Sequence, residues 1–462
     1  MRLFHVSLWL LLFLSSSLRA APADILVRAK TIVTMDAARR VIEDGAIAIA
    51  GSRILAVGPR AEIEAAYEAE RAFDYPEGIL IPGLLNGHTH APMSLFRGLA
   101  DDRTLEDWLQ NFIFPAEARN VTPQFVYWGT RLAAAEMLLS GTTLFVDMYY
   151  FEEEVARAAT DAGIRTVAGQ TVIQFPAPDA KTPREALARA EAFLKQYAGH
   201  PLVVAAVAPH ALYTNDEATL RACRALADRY GAPLLIHLSE TQKEQTEMHA
   251  RYGKTPAAVL NAWGMFEKPL IAAHGVWLSN ADLDLLRNKP VGLIHNPGSN
   301  MMLASGVAPV GAARERGIPV GLGTDGPAGS NNDFNLFEEM DLAAKLQKVT
   351  HKDPTALSAR DAFTMATIEG ARALGMEKEI GSLEPGKRAD WVVLDATAFN
   401  AIPLYDLYSQ LVYAFKGANV RDVMVNGVLL VQNGKLLNDV HAELLRKARE
   451  FRQSVQSSLQ RK

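Results

Sequence analysis

The chain has 462 residues, 49% of them hydrophobic and 21% charged, with a formal net charge of −5. This is globular composition with ample material for a large core. It carries no Lys/Arg block or basic stripe, which argues against nucleic acid as a partner, and its single cysteine, Cys223, excludes an intramolecular disulfide and a thiolate-rich metal site.

The N-terminus reads as an address. Arg2 and His5 form a short positive region, followed by an apolar run over residues 6–14 and small residues up to Ala20. The run is too short to span a bilayer but suits a secretory signal peptide, residues 1–20, cleaved after Ala20. The expected mature protein is periplasmic or secreted, without a stable membrane anchor. Next come short apolar runs at Ile25-Leu26-Val27, Thr31-Ile32-Val33 and Ala46-Ile47-Ala48-Ile49, with turns expected at Asp44-Gly45 and Ala50-Gly51. A similar group closes the chain at Trp391-Val392-Val393-Leu394, Val423-Met424-Val425 and Val428-Leu429-Leu430-Val431, with Asn426-Gly427 as a hairpin turn. Neither group builds a substantial core alone, so residues 21–78 and 381–436 are expected to merge into one small β-sandwich domain, followed by a C-terminal helix over residues 437–462.

Residues 79–380 alternate strand and helix. Candidate strands end at His90, Asp147, Gln170, His210, His237, His274, His295 and Asp325, and helical periodicity fills gaps such as 183–197 and 336–349. Eight strands separated by helices predict an α/β fold of the (β/α)8 TIM-like barrel type.

Chemistry concentrates at the strand ends. His88 and His90 lie two apart on a strand, so both imidazoles project from one face and can share a cation. Of eleven histidines, six (His88, His90, His210, His237, His274 and His295) fall at predicted strand C-termini, which converge on one mouth in a barrel. Asp325, in Gly323-Thr324-Asp325-Gly326, is the carboxylate at the eighth strand end and can bind a metal and accept a proton from water. Glu240 leaves the fifth strand three residues after His237, where burial can tune it for proton transfer. His274 is either a further ligand or a partner for the attacking hydroxide, the second being preferred.

The runs 82–90 (PGLLNGHTH), 237–240 (HLSE), 273–274 (AH), 295–297 (HNP) and 323–326 (GTDG) resemble the amidohydrolase superfamily. The branch they are most similar to holds the methylthioadenosine/S-adenosylhomocysteine deaminases and the chlorotriazine hydrolases. The resemblance covers the chain after the signal segment, including the entry to its last domain at residues 381–390. It implies one zinc, or another divalent metal, held by His88, His90, His237 and Asp325; no lysine stands as a bridging ligand for a second. It further implies Trp108 as a wall of the pocket, Glu117 as the acceptor for ribose hydroxyls, and His210 as a substrate-lining residue. In the implied hydrolytic deamination Asp325 takes a proton from water, Glu240 protonates a ring nitrogen and His274 holds the attacking hydroxide.

Members acting on S-adenosylhomocysteine place arginines after strand three, whereas here that strand ends Val167-Ala168-Gly169-Gln170 and the next arginine is Arg184. The loop 327–329 after Asp325 also departs from the usual form. The preferred function is release of ammonia from an adenosine-type nucleoside. The alternatives are a guanine or pterin deaminase or an s-triazine chloro- or aminohydrolase on the same machinery, and more remotely a non-catalytic binding protein. Expected partners are small nucleosides or heterocyclic amines, with a homo-oligomer left open.

Overall fold

The computed structural model describes residues 20–438 and 440–460. Apart from Ala20, the expected signal peptide lies outside the described residues. Four strands open the chain: β1 (Ala21–Val33), β2 (Val41–Ala50), β3 (Arg53–Pro59) and β4 (Tyr67–Pro82). Eight follow: β5 (Leu84–Thr89), β6 (Thr142–Tyr149), β7 (Arg165–Val172), β8 (Val203–Pro209), β9 (Leu234–Leu238), β10 (Leu270–His274), β11 (Val291–His295) and β12 (Val320–Leu322). The last are β13 (Trp391–Asp395), β14 (Val420–Val425), β15 (Val428–Gln432) and β16 (Lys435–Leu436).

The two chain ends build one mixed sheet in the order β16-β15-β14-β13-β4-β1-β2-β3. Its centre is β4, parallel to β1 on one side and antiparallel to β13 on the other. The sheet curls back on itself: the start of β3 bonds to the segment entering β13, through Ile54 N–H to Lys387 O (2.9 Å) and Gly386 N–H to Ile54 O (2.8 Å). Inside the curl lies a core in which the fully buried Trp391 meets Tyr75 edge-on, ring centroids 6.2 Å apart.

Three local details differ from the sequence reading. The first two apolar runs form a single strand, β1, with a register shift between Ala29 and Thr31. The turn expected at Asp44-Gly45 lies inside β2; a Cβ on Gly45 would fall 2.6 Å from Ile32 Cδ1, so glycine serves close packing there rather than chain reversal. Most of β4 shows no apolar pattern because its first half is largely exposed.

The strands β5 to β12 are parallel and neighbour one another in sequence order, forming the near-closed barrel. Helices at Pro183–Gln196 and Leu336–His351 lie close to the predicted spans. The seam between β12 and β5 is closed by few groups. Asp325 N–H donates to His88 O (2.9 Å), and Thr324 exchanges hydrogen bonds with the Asn86 side chain, its N–H to Oδ1 at 3.0 Å and its Oγ1 accepting from Nδ2 at 2.8 Å. Glycines permit this approach: a Cβ on Gly323 would stand 2.8 Å from His88 N, and one on Gly87 3.0 Å from Leu322 O.

The C-terminal helix, His441–Gln460, packs on helices Phe114–Asn120 and Pro123–Leu139, with Phe451 edge-on to Phe125. Among the described residues no helix is long and apolar enough to cross a membrane.

Barrel and terminal sheet are joined by a buried ion pair. Arg165, at the start of β7, donates from Nε and Nη2 to Asp390 Oδ2 (3.2 and 3.1 Å), and Asp390 Oδ1 also accepts from Asn426 N–H (2.6 Å). Removing one partner of such a pair strands a buried charge, so Arg165→Met should cost about 3–5 kcal/mol. Urea unfolding of the variant, with the midpoint unchanged, would contradict this.

Candidate active site

Alternation along β5 sends His88 and His90 to one side and Thr89 to the other, where its hydroxyl donates to Val146 O (2.9 Å) and Asp147 Oδ1 (2.7 Å). The middle residue of the pair thus anchors the strand to β6 while its neighbours face the mouth. The seam bond from Asp325 N–H to His88 O sets the aspartate beside them: Oδ1 lies 3.3 Å from Nε2 of both His88 and His90. Oδ2 accepts from Ser299 Oγ (2.7 Å), which fixes the carboxylate plane.

His237, on β9, joins the same cluster. Its Nδ1 donates to His210 O (2.7 Å), and His90 Nδ1 donates to Met148 O (2.7 Å). Each bond commits Nδ1 as the donor and leaves Nε2 with a free lone pair. His88 Nε2 is buried without a hydrogen-bond partner. Donor atoms of His88, His90 and Asp325, and of His88, His237 and His274, each lie within 4.8 Å of one another. This all-nitrogen-and-oxygen donor set, with an orphaned buried imidazole nitrogen at its centre, fits a divalent metal of the zinc type.

Electrostatics support that fit. Burial pushes His88 down to about 4 and His210 down to about 3, and holds His237 well below the usual histidine range, so these rings are neutral near pH 7. Burial also opposes charge on His90, but the hydrogen bond and charge of Asp325 outweigh it and raise His90 to about 9. Asp325 too is buried, yet the two imidazoles hold its carboxyl well below the carboxylate range. A cation held among these rings would take the place of that proton.

His274 ends β10 in a left-handed backbone conformation, φ 74°, and Asp325 shares it at φ 65°. Such conformations store of order 1–3 kcal/mol each and gather at functional sites. His274 Nδ1 lies 3.1 Å from Asn300 Oδ1, and Nε2 is 3.9 Å from Glu240 Oε1. Burial, then the Asp325 charge, pushes Glu240 up to about 8, so its carboxyl carries a proton at neutral pH.

These groups open onto a cleft of about 520 Å³. Trp108, Glu117 and His210 line it, together with Ile113, Phe114 and Tyr213. Trp108 opens a π-helical turn, Trp108–Ile113, and its Nε1 donates to Ala328 O (2.7 Å), seating it on the loop that follows Asp325. Glu117 sits on the next helix, its Oε1 accepting from Tyr149 Oη (2.7 Å), while burial raises its carboxyl to about 7.

His295 stands apart from the other five strand-end histidines. It is buried among Leu293, Val310 and Val320, with neither ring nitrogen hydrogen-bonded. Strand parity explains this: the next residue, Asn296, faces the mouth and lies 3.3 Å from His274 Nδ1. Ser299, Asn300, Asn86 and Tyr149 were not anticipated. Ser299 and Asn300 follow the His-Asn-Pro run on the short helix Pro297–Met302, and that helix start was the available signal.

Residues 79–430 match the amidohydrolase family, and residues 45–67 match a bacterial imidazolonepropionase-like composite domain. A 5-methylthioadenosine/S-adenosylhomocysteine deaminase of Syntrophus aciditrophicus is 45% identical over 436 residues, covering 94% of this chain and 98% of that relative. Among solved structures, an adenosine deaminase of Xanthomonas campestris with bound zinc superposes with a TM-score of 0.93 at 39% identity, covering 95% of this chain and 100% of that one. An atrazine chlorohydrolase of Arthrobacter aurescens complexed with zinc gives 0.86 at 25% identity, covering 92% and 99%.

The Ser299 hydroxyl orients Asp325 without touching the rings. Ser299→Ala should weaken divalent-metal retention roughly 10–100-fold with the fold intact, the scale expected for loss of such an orienting bond. Competition with a chromophoric chelator measures it; unchanged affinity would remove Ser299 from the metal centre.

Proposed function

The chain belongs to the amidohydrolase family, and we propose that it is a zinc-dependent deaminase that releases ammonia from an adenosine-type nucleoside, 5′-methylthioadenosine foremost. The observation that carries this is one cleft holding both the histidine–aspartate cluster and Glu117, a buried acceptor braced by Tyr149. The relative of Syntrophus and the zinc-bound Xanthomonas structure support the same chemistry.

His88, His90, His237 and Asp325 would hold a zinc ion, whose Lewis acidity would make water a nucleophile near neutral pH. Asp325, kept ionised by His88 and His90 and aligned by Ser299, accepts the proton of water. Glu240 enters protonated and donates to the ring nitrogen beside the attacked carbon, relieving charge as the C–O bond forms. His274 steadies the incoming oxygen, its ring oriented by Asn300. Proton return to the exocyclic amine breaks the C–N bond, leaving a ring carbonyl and ammonia. Glu117 accepts from the two vicinal hydroxyls of ribose, a pattern an s-triazine or a free base does not present.

We also propose that the chain is exported and begins at Ala21 once processed, on the strength of the apolar run and the small residue at position 20. N-terminal sequencing of protein from the native cell tests this; full-length chain confined to the cytosol would contradict it.

Ammonia release measured with 5′-methylthioadenosine, adenosine, guanine and a triazine panel tests the function; turnover of only the base or the triazine would overturn it. Glu240→Gln should retain metal and lose roughly 10²–10⁴ in rate. In the wild type, Glu240 gives up its proton as pH rises through about 8, so kcat/KM should fall on the alkaline side of that value. A profile flat to pH 10 would remove Glu240 as the acid. Glu117→Ala should harm nucleoside turnover far more than that of any substrate lacking the sugar. Equal losses would make Glu117 structural.

A further inference from the structure

Glu240 works from a loop, two residues beyond the end of β9 at Leu238. Its carboxyl stands 3.9 Å from His274 Nε2, beyond hydrogen-bond reach. Where that carboxyl points therefore depends on the backbone beneath it.

The peptide unit joining Ser239 to Glu240 is held at both of its polar atoms. The Ser239 carbonyl accepts from Trp277 N–H (2.8 Å), and the Glu240 N–H donates to Glu244 Oε2 (2.8 Å). Ser239 takes a left-handed backbone, φ 51°, a conformation that persists only where its surroundings enforce it. We infer, on the basis of the deaminase function proposed above, that Glu244 is a positioning residue for the acid Glu240. Its carboxyl fixes the Ser239–Glu240 peptide and so aims the Glu240 side chain at the substrate ring.

The run Thr241-Gln242-Lys243-Glu244 has the form of a capping box, in which the glutamate returns to the N–H of the capping residue. Half of the box is formed, with Thr241 Oγ1 accepting from Glu244 N–H (3.2 Å). The glutamate side chain instead reaches past the cap to the residue before it, Glu240. The same helix, Gln242–Tyr252, also grips the other clamp, because Gln245 Nε2 donates to Trp277 O (3.0 Å). Glu244 is only 3% exposed, and its Oε1 has no hydrogen-bond partner among the described residues. An exposed carboxyl would cap the helix equally well, so capping alone does not offset the cost of this burial. Burial raises the Glu244 carboxyl to about 8, so it is neutral at pH 7 and its oxygen accepts much as an amide oxygen would.

A double-mutant cycle on the full chain loaded with zinc tests this, reading kcat and KM for ammonia release from 5′-methylthioadenosine. Glu244→Ala removes the acceptor and should lower kcat about 10- to 100-fold, the scale of a small misplacement of a reacting group. KM should stay within about threefold and metal content should not change. Glu244→Gln keeps an accepting oxygen at the same reach and should retain kcat within a few-fold. In a Glu240→Gln background the acid is already lost, so adding Glu244→Ala should cost less than about twofold more. If Glu244→Ala does not fold, Glu244→Asp gives the same comparison, since it keeps a carboxyl but shortens its reach by one methylene. Equal losses in both backgrounds would make Glu244 a support of the fold alone and overturn the inference. Wild-type kcat without the acceptor, or a glutamine variant as impaired as the alanine one, would overturn it too. Wild-type chain that releases no ammonia from this nucleoside would bring down the proposed function, and the inference with it.

Discussion

Eight parallel strands make a barrel only where the last meets the first, and in this chain the meeting point and the reactive centre are the same residues. The bond from Asp325 N–H to His88 O closes the seam, and it also brings the Asp325 carboxylate to 3.3 Å from two imidazole nitrogens. Asn86, one alternation before His88, exchanges bonds with Thr324 and holds the register. Gly87 and Gly323 keep the strands near enough for this, because a Cβ at either would strike the opposite backbone. The left-handed backbone at Asp325 and His274 is tolerated for the same reason: closure over-determines both positions.

Burial then assigns the chemistry. In a site taken out of water, an isolated carboxyl keeps its proton and an imidazole loses one, unless a specific neighbour opposes the change. Glu240 follows the first rule, while His88, His210 and His237 follow the second. Asp325 and His90 break them together because each stabilises the other. Asp325 and Glu240, two carboxyl groups lining one cleft, thereby take opposite states, one ionised and one protonated, as an acid–base pair requires.

Much of this was legible in the chain because it rests on short-range pattern. His88 and His90 share a face through strand parity alone, and apolar runs ending in His or Asp mark strand ends without knowledge of the fold. What sequence could not supply depends on contacts between distant segments. Ser299 reaches Asp325 and Asn300 reaches His274 across 26 residues in each case, through a one-and-a-half-turn helix with no apolar period. His295 carries the same local signature as the cluster histidines, and only the parity of β11 against its neighbours turns it away. The strand β4 was legible only at its apolar end, residues 79–82, which reads as one run with the strand that ends at His90; its first half is largely exposed and polar, and it is placed by pairing with β1 and β13.

The position of β4 also governs the order in which the molecule can assemble. It emerges early, pairs with β1 and then waits for β13, more than three hundred residues later, before its other edge is covered. Until then the row of amides and carbonyls from Gly78 to Pro82, which β13 will pair, is an open edge of the kind that recruits foreign strands. Pairing so distant in sequence is slow, since a long loop must close before any contact rewards it. In the folded chain the Arg165–Asp390 pair ties the entry of β13 to the start of β7, so the barrel fixes where that distant strand lies. Covering the second edge of β4 thus depends on a pairing that spans the whole barrel sequence, which leaves that edge open to foreign strands in any chain that has not yet reached β13.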